Sequence, residues 1–224
     1  MEVTIRPPEG NVNPPRWPGA EVAILASGPS MTKEDADLVY KWRVERMDRR
    51  VIVVNTTFLL APWADVLYAA DRQWWEIYDP QVELRFGGER WTHDNPFHGK
   101  PWERAKRIYV ERGRGLSRTS GKVISGGNSG YTAIGIAYEF GAKKIILLGF
   151  DMKYGPGGEV HWHGAHPQGL RQHPMFTGWL ERFPQLAADL RRSGVDVINC
   201  SRSTALDCFA RAAPEEVFGA KQTT

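Results

Sequence analysis

Short runs of aliphatic and β-branched residues alternate along the chain with longer stretches whose apolar positions recur every three or four residues. "EVAILA" opens the pattern and ends at the glycine turn "SGPS". Consecutive apolar positions bounded by a turn predict a strand buried on both faces. Thr32 stands three residues before Asp35, close to a capping box, and predicts a helix through about Met47. "RRVIVVN" and "ADVLYAAD" read as the second and third strands, with "RIYVE" and "GKVIS" as weaker ones. The segment from Ser129 to Phe140 predicts a helix that Gly141 ends in the usual C′ role. "KKIILLGFD" follows as a strongly buried strand. "FTGWLERFPQLAADLRRSG" predicts a long helix, kinked or restarted at Pro184, that leads into "VDVINC".

Strands alternating with helices imply βαβ units. The predicted fold class is therefore α/β and Rossmann-like, a mostly parallel sheet flanked by helices. Residues 21–224 read as one nucleotide-binding domain, and the proline-rich residues 1–20 as a loosely ordered arm. Residues 87–121 break the alternation, being rich in Trp, Gly, Pro and charge and too long for a plain connection. They read as a lid-like excursion over the active face.

Composition narrows this picture modestly. A chain of 224 residues suits one domain that buries roughly 70% of its unfolded surface. Two cysteines, Cys200 and Cys208, make no disulfide framework; they suit a reducing cytoplasm, with a single bridge left open. No apolar run approaches the roughly 20 residues of a membrane span, and the first residues lack the apolar core of a signal peptide. The expectation is a cytoplasmic protein away from membranes. A formal charge of +3 does not by itself indicate nucleic acid. The cations are uneven, however: Arg104, Lys106, Arg107, Arg112, Arg114, Arg118 and Lys122 crowd one stretch. That run reads as solvated surface or as a phosphate-facing patch with weak nucleic-acid binding.

Small polar residues gather where the predicted strands end, the side on which open parallel sheets bind ligands. Gly28, Pro29 and Ser30 follow the first strand, Asn55 ends the second and Asp71 follows the third. Asn128, Ser129 and Gly130 open a helix, whose free N–H groups favour an anion by about 0.3–1 kcal/mol. Asp151 ends "IILLGFD", and Asn199 and Ser201 end the last strand. Neither the Walker pattern nor G-x-G-x-x-G is present, which argues against an ordinary ATPase or dehydrogenase.

"ILASGPSMT" and "NSGYTAIGIAYEFGAKKIILLGFDMKY" together resemble two blocks of the bacterial sialyltransferases of glycosyltransferase family 42. The same blocks occur in the family that includes archaeal 6-hydroxymethyl-dihydropterin pyrophosphokinases. "HWHG", "LAPWAD" and the "VINCSR.TAL" ending resemble a group of phage and prophage proteins often labelled "norphogenetic protein", which implies a phage-infected or prophage-bearing bacterial host. The resemblance spans roughly residues 21 to 210. It implies a Rossmann-like fold holding a cytidine nucleotide, with Gly28, Pro29 and Ser30, Asn55, and Asn128, Ser129 and Gly130 toward the donor. Ser27 stands where the sialyltransferases have asparagine. Tyr154 lies one position past a tyrosine that helps the phosphate leave. The catalytic histidine has no gapless match: counting back from the last strand places it near His173, whereas local chemistry favours His161 or His163.

Three of the six histidines, His161, His163 and His166, form H-x-H-x-x-H in a glycine-rich loop. On an extended segment His161 and His163 share a side, which permits two imidazole ligands to one metal; His166, His173 or Asp151 would supply a third. Proton transfer and a plain polar loop compete with that reading. Near neutral pH an imidazole carries a proton either way, so the loop is assigned proton transfer and no metal.

The expected function is transfer of a group from a nucleotide-activated sugar, CMP-type favoured, to an acceptor hydroxyl not named by the sequence. His161, His163 or His173 would serve as base, with Tyr154 or an arginine stabilising the departing phosphate, Asp151 beside the histidines at the mouth of the pocket, and Asp71 toward a ribose hydroxyl. The alternatives are diphosphate transfer from ATP, with magnesium on Asp71 and Asp151, and a non-catalytic accessory protein that binds nucleotide or nucleic acid. An oligomer is compatible with either.

Overall fold

A computed structural model of the chain describes residues 17–93, 104–167, 170 and 173–219. Its framework is an eight-stranded sheet in which every pairing is parallel. The chain enters at the centre with β1 (Glu21–Leu25) and moves outward through β2 (Arg49–Val54), β3 (Val66–Tyr68), β4 (Glu89–Thr92) and β5 (Lys106–Arg107). A separate pair, β6 (Tyr109–Arg112) and β7 (Lys122–Ser125), follows. The chain then returns to the other side of β1 with β8 (Lys144–Leu148), β9 (Asp196–Asn199) and β10 (Ala210–Arg211), so the strand order is β10-β9-β8-β1-β2-β3-β4-β5. β1 is thus the reversal point of the sheet, paired Glu21 to Arg49 on one side and Glu21 to Lys144 on the other.

Period-two alternation sorts the buried strand residues onto two faces. Val22 and Ile24 pack with α3 (Ser129–Glu139) and α5 (Phe183–Arg192) through Ile134, Ile136, Leu186 and Leu190. Ala23 and Leu25 face α1 (Lys33–Glu45) and α2 (Arg72–Arg85) through Val39, Trp42, Trp75 and Val82. α6 (Pro214–Phe218) completes that face, the Phe218 ring meeting Trp42 edge-on at 5.4 Å. The capping box is present: Thr32 Oγ1 accepts from the Asp35 N–H, and the Asp35 carboxylate accepts from the Thr32 N–H. Arg202 also donates to Asp35, tying the segment after β9 to this helix end.

Several expectations change. α2 contains Pro80 and had no counterpart in the apolar pattern. Trp74, Trp75, Tyr78 and Val82, spaced for one helix face, bury against the sheet and outweigh the lost hydrogen bond. The long helix divides into α4 (Phe176–Leu180) and α5, with Pro184 in the first turn of the second, where its missing N–H costs nothing. The lid reading of residues 87–121 gives way over its described residues, 87–93 and 104–121. Its described residues supply β4, β5 and β6, and none of them lines the main cavity. Trp91 explains the difference: it is fully buried against Phe140, with ring centroids 5.2 Å apart, and pins β4 into the sheet. Residues 94–103 and 1–16 lie outside the described residues. Of the arm, Trp17 packs edge-on against Phe140 at 4.8 Å. Among the described residues no helix is long and apolar enough to cross a membrane.

Candidate functional site

At the carboxyl ends of β1, β2 and β8 lies a cavity of about 390 Å³. β1 and β8 are the neighbours between which the chain reverses direction across the sheet, so their connections diverge and leave a crevice. Volume and position suit a small-molecule site.

Each wall has a local cause. The turn after β1 is held by Asp151, whose two carboxylate oxygens accept from the Ser30 N–H at 2.8 Å and from Ser30 Oγ at 2.9 Å. Gly28 donates its N–H to the Gly149 carbonyl at 2.9 Å. A Cβ on Gly28 would stand 2.2 Å from Asp151 Oδ1 and 2.5 Å from Gly149 O. Glycine is therefore needed there to close two loops onto each other, a reason the sequence had assigned to ligand approach. Burial pushes the Asp151 carboxyl up from its ordinary value, and the two Ser30 hydrogen bonds oppose that.

The opposite wall is the N-terminus of α3. Asn128 caps it, its Oδ1 accepting from the Tyr131 N–H at 3.1 Å. Gly127, Ser129 and Gly130 line the cavity beside it. First-turn amides have no intrahelical acceptor, so this wall presents N–H donors and the positive end of a helix dipole. Gly130 admits the close approach of Phe150, whose Cε1 would lie 2.8 Å from a Cβ there.

Two residues of the cavity are conformationally unusual. Asn55 and Met152 have φ of 50° and 52°, and among the described residues they are the only non-glycines in the left-handed region. Such conformations cost of order 1–3 kcal/mol and concentrate at functional sites. Asn55 also has a buried Oδ1 with no hydrogen-bond partner among the described residues. A buried amide oxygen left unpaired is costly unless a ligand completes it.

The third wall is the histidine loop. The Ser27 carbonyl accepts from the Trp162 N–H at 3.2 Å and lies 3.3 Å from His161 Nδ1. Trp162 Nε1 donates to Thr57 Oγ1 at 3.3 Å. These bonds fasten the loop to the end of β1. Gly164, at φ 82°, turns the chain back so that His166 meets His161, with ring centroids 4.3 Å apart. His161 and His163 stack at 5.1 Å and 10°. Burial holds His161 down to about 3, with His166 and His163 adding to the drop. It holds His163 down to about 4, with His166 adding. Burial also lowers His166, opposed by the charge of Asp71. Three neutral imidazoles are therefore crowded together, and the near-neutral titration expected from the sequence does not apply to them.

The structure brings Gly28, Pro29, Asn55, Asp71 and Asp151 to one cavity with Asn128, Ser129 and Gly130, and adds His161 and His173. Ser30 points instead to Asp151. His163 and Tyr154 are not among the lining residues: His163 sits behind His161, and Tyr154 is half exposed, its ring edge-on to Phe176 at 5.2 Å. Asn199 and Ser201 serve as braces, Ser201 Oγ accepting from the Phe150 N–H at 2.8 Å and Asn199 Oδ1 from the Ser201 N–H at 3.0 Å. Trp74 and Trp75 are core residues whose indoles donate to Thr56 Oγ1 and the Ala69 carbonyl. Lys153, Met152, Gln73 and Trp179 also line the cavity and had carried no motif. Lys153 was within reach of sequence reasoning, lying two residues past the strand end at Asp151. Trp179, on α4, becomes visible only when the chain folds back across the opening.

No protein-family model matches the chain, and no curated protein matches it. The arrangement itself therefore carries the functional reading.

Proposed function

We propose that the chain binds a nucleotide-activated sugar, of the CMP type, in the cavity at the reversal point of the sheet and transfers the sugar to an acceptor hydroxyl. The observation that carries this reading is the pairing, across one cavity, of the α3 N-terminus with the strained, unpaired amide of Asn55. The first suits a phosphate and the second a ribose or base edge. The two sequence blocks resembling the sialyltransferases supply these same walls.

The number of fixed anion-holding groups favours a single phosphate. Among the described lining residues Lys153 is the only lysine or arginine, and α3 offers one helix end, while Asp71 and Asp151 repel further negative charge. Asp151 already accepts with both oxygens from Ser30, which weighs against its use as a magnesium ligand in diphosphate transfer. Trp179 presents an indole on which a pyrimidine can stack.

In the reaction the bond between the anomeric carbon and the phosphate oxygen breaks and a bond to the acceptor oxygen forms. His173, exposed and on the cavity wall, takes the acceptor proton. The electron pair leaves with CMP, whose phosphate charge is met by the α3 amides and Lys153. A positioned base of this kind is worth roughly 10²–10⁴-fold. His173→Ala should lower CMP release from an activated donor by that factor and leave CMP affinity within about threefold.

Thermal unfolding with CMP, UDP, ADP and ATP, each with and without magnesium, tests the reading. CMP at a hundred times its Kd should add about 2.7 kcal/mol. Stabilisation by ATP with magnesium alone would replace the reading with diphosphate transfer. Stabilisation by none would leave the non-catalytic accessory role.

A further inference from the structure

The histidine loop answers to none of the roles above. His163 is not on the cavity, His161 is bonded through Nδ1 to a carbonyl, and the proposed base is His173. Yet each of His161, His163 and His166 offers one ring nitrogen, and these atoms all lie within 4.8 Å of one another. We propose that His161, His163 and His166 form a three-imidazole site for one zinc-class divalent ion, with its fourth coordination position open toward the main cavity.

Four observations carry this, and none depends on the ligand of the cavity being a nucleotide. The first is an unmet valence: His163 Nε2 is buried and has no hydrogen-bond partner among the described residues. A buried ring nitrogen without a partner costs roughly 1–3 kcal/mol, and a metal at the centre of the cluster would complete it. The second is the tautomer of His161. A carbonyl only accepts, so the contact to Ser27 O at 3.3 Å places the proton on Nδ1 and leaves Nε2 with a free lone pair. Metal-bound histidines are commonly fixed in this way through their other nitrogen.

The third observation is restraint of the loop. Trp162, between two of the ligands, is held through its backbone to Ser27 and through its indole to Thr57. Tetrahedral zinc with bonds of about 2.0–2.1 Å sets the nitrogens about 3.3–3.4 Å apart. Closing from 4.8 Å therefore asks for about 1.5 Å of ring movement, within the reach of side-chain rotation on a fixed backbone. The fourth is access: Asp71, His161 and His166 all line the main cavity. A second, smaller cavity of about 220 Å³ borders the same two histidines.

The ligand chemistry selects the ion. Imidazole suits zinc, copper, nickel and iron, whereas magnesium and calcium want oxygen ligands, which this cluster lacks. Three protein ligands with an open position are the arrangement of a zinc ion that binds water or substrate, since purely structural zinc is held by four. An anionic oxygen of a bound ligand, or a water, would occupy that position from the cavity side.

The test uses the full chain without a polyhistidine tag, stripped with a chelator and checked for native circular dichroism. Calorimetric titration with zinc chloride should show one ion per chain, undiminished by millimolar magnesium. Cobalt(II) should give the strong visible absorption of a tetrahedral site. His163→Ala should weaken zinc binding by at least about 100-fold. His173→Ala should still bind one ion. Absence of saturable zinc binding in the stripped wild-type chain would overturn the proposal, and so would wild-type affinity in His163→Ala. If His163→Ala does not fold, the wild-type stoichiometry and the cobalt spectrum decide alone.

Discussion

Two crowded stretches invite comparison: the basic run from Arg104 to Lys122 and the histidine loop from His161 to His166. By sequence each concentrates one kind of chemistry. In the structure their polar groups meet opposite fates. Four of the seven cations form ion pairs: Arg104 with Glu83, Lys106 with Glu89, Lys122 with Glu111 at 3.1 Å and Arg114 with Glu181 at 4.0 Å. Arg107 lies over the Tyr109 ring at 5.1 Å, and Arg112 and Arg118 stand in solvent. The run is a solvated edge whose charge is largely answered by neighbours. The histidine loop is fastened through Trp162 to Ser27, after β1, and to Thr57, after β2; it is half buried and retains at His163 a ring nitrogen with no partner among the described residues. Crowding alone does not mark a site. Crowding with unmet valence, on a restrained backbone beside a cavity, does.

The comparison can be broken most severely at the cavity wall. Gly28→Val should destabilise the fold by about 3 kcal/mol, because the added Cβ meets Asp151, which cannot retreat without losing the Ser30 bonds, and the Gly149 carbonyl, which cannot retreat without losing the Gly28 N–H. Chemical denaturation measures it; a variant as stable as wild type would mean that the two loops are not closed against each other.

A smaller effect distinguishes buried from exposed polar groups through pH. Burial pushes Cys200 and Cys208 each up to about 11. An unfolded chain releases these thiol protons near 8.5, so between about 8.5 and 11 the folded state binds more protons than the unfolded one. Stability should therefore be unaffected by these groups below pH 8 and fall as pH rises through that window, by about 1 kcal/mol per thiol for each pH unit. Cys200→Ala should flatten the slope measured by denaturation at pH 8, 9 and 10. An unchanged slope would assign the alkaline loss to other groups.

The smallest effect belongs to the basic run. Replacing Arg112 and Arg118 together by alanine should change stability by less than about 0.5 kcal/mol, the usual range for exposed sites. Binding to DNA should be weak in wild type, with log K falling at about −0.9 per phosphate contact against log salt. Salt-tolerant nanomolar binding lost in this variant would make the run a nucleic-acid surface and erase the contrast with the histidine loop.

Much of the fold was legible because an all-parallel sheet buries both faces of its strands, and such strands appear as unbroken apolar runs. β1, β2 and β8 stand where "EVAILA", "RRVIVVN" and "KKIILLGFD" place them. α2 was hidden because Pro80 is a local signal for a break, while the burial that overrides it is tertiary. β4 and β5 were hidden by Arg90, Lys106 and Arg107, charges tolerable on a sheet margin and misleading in a pattern search. The candidate site was legible as a set of strand ends, since Gly28, Asn55, Asp71, Asn128 and Asp151 do converge. What no sequence pattern carries is the pairing within that set. Ser30 turning away to Asp151, Asn55 Oδ1 left without a partner among the described residues and His166 folding back on His161 all depend on distances between separate segments.

The most direct test of the central claim, that the cavity at the reversal point is the ligand site and the α3 N-terminus its anion holder, is calorimetric titration of CMP into wild type and Ser129→Lys side by side. Ser129 lies at the first position of α3 and lines the cavity. Lysine there fills the anion site with a bulky side chain while leaving the core untouched. Wild type should bind CMP saturably and one-to-one, and the variant at least tenfold more weakly at unchanged circular dichroism. Equal affinity in the two proteins, or no binding of CMP by wild type, would contradict it.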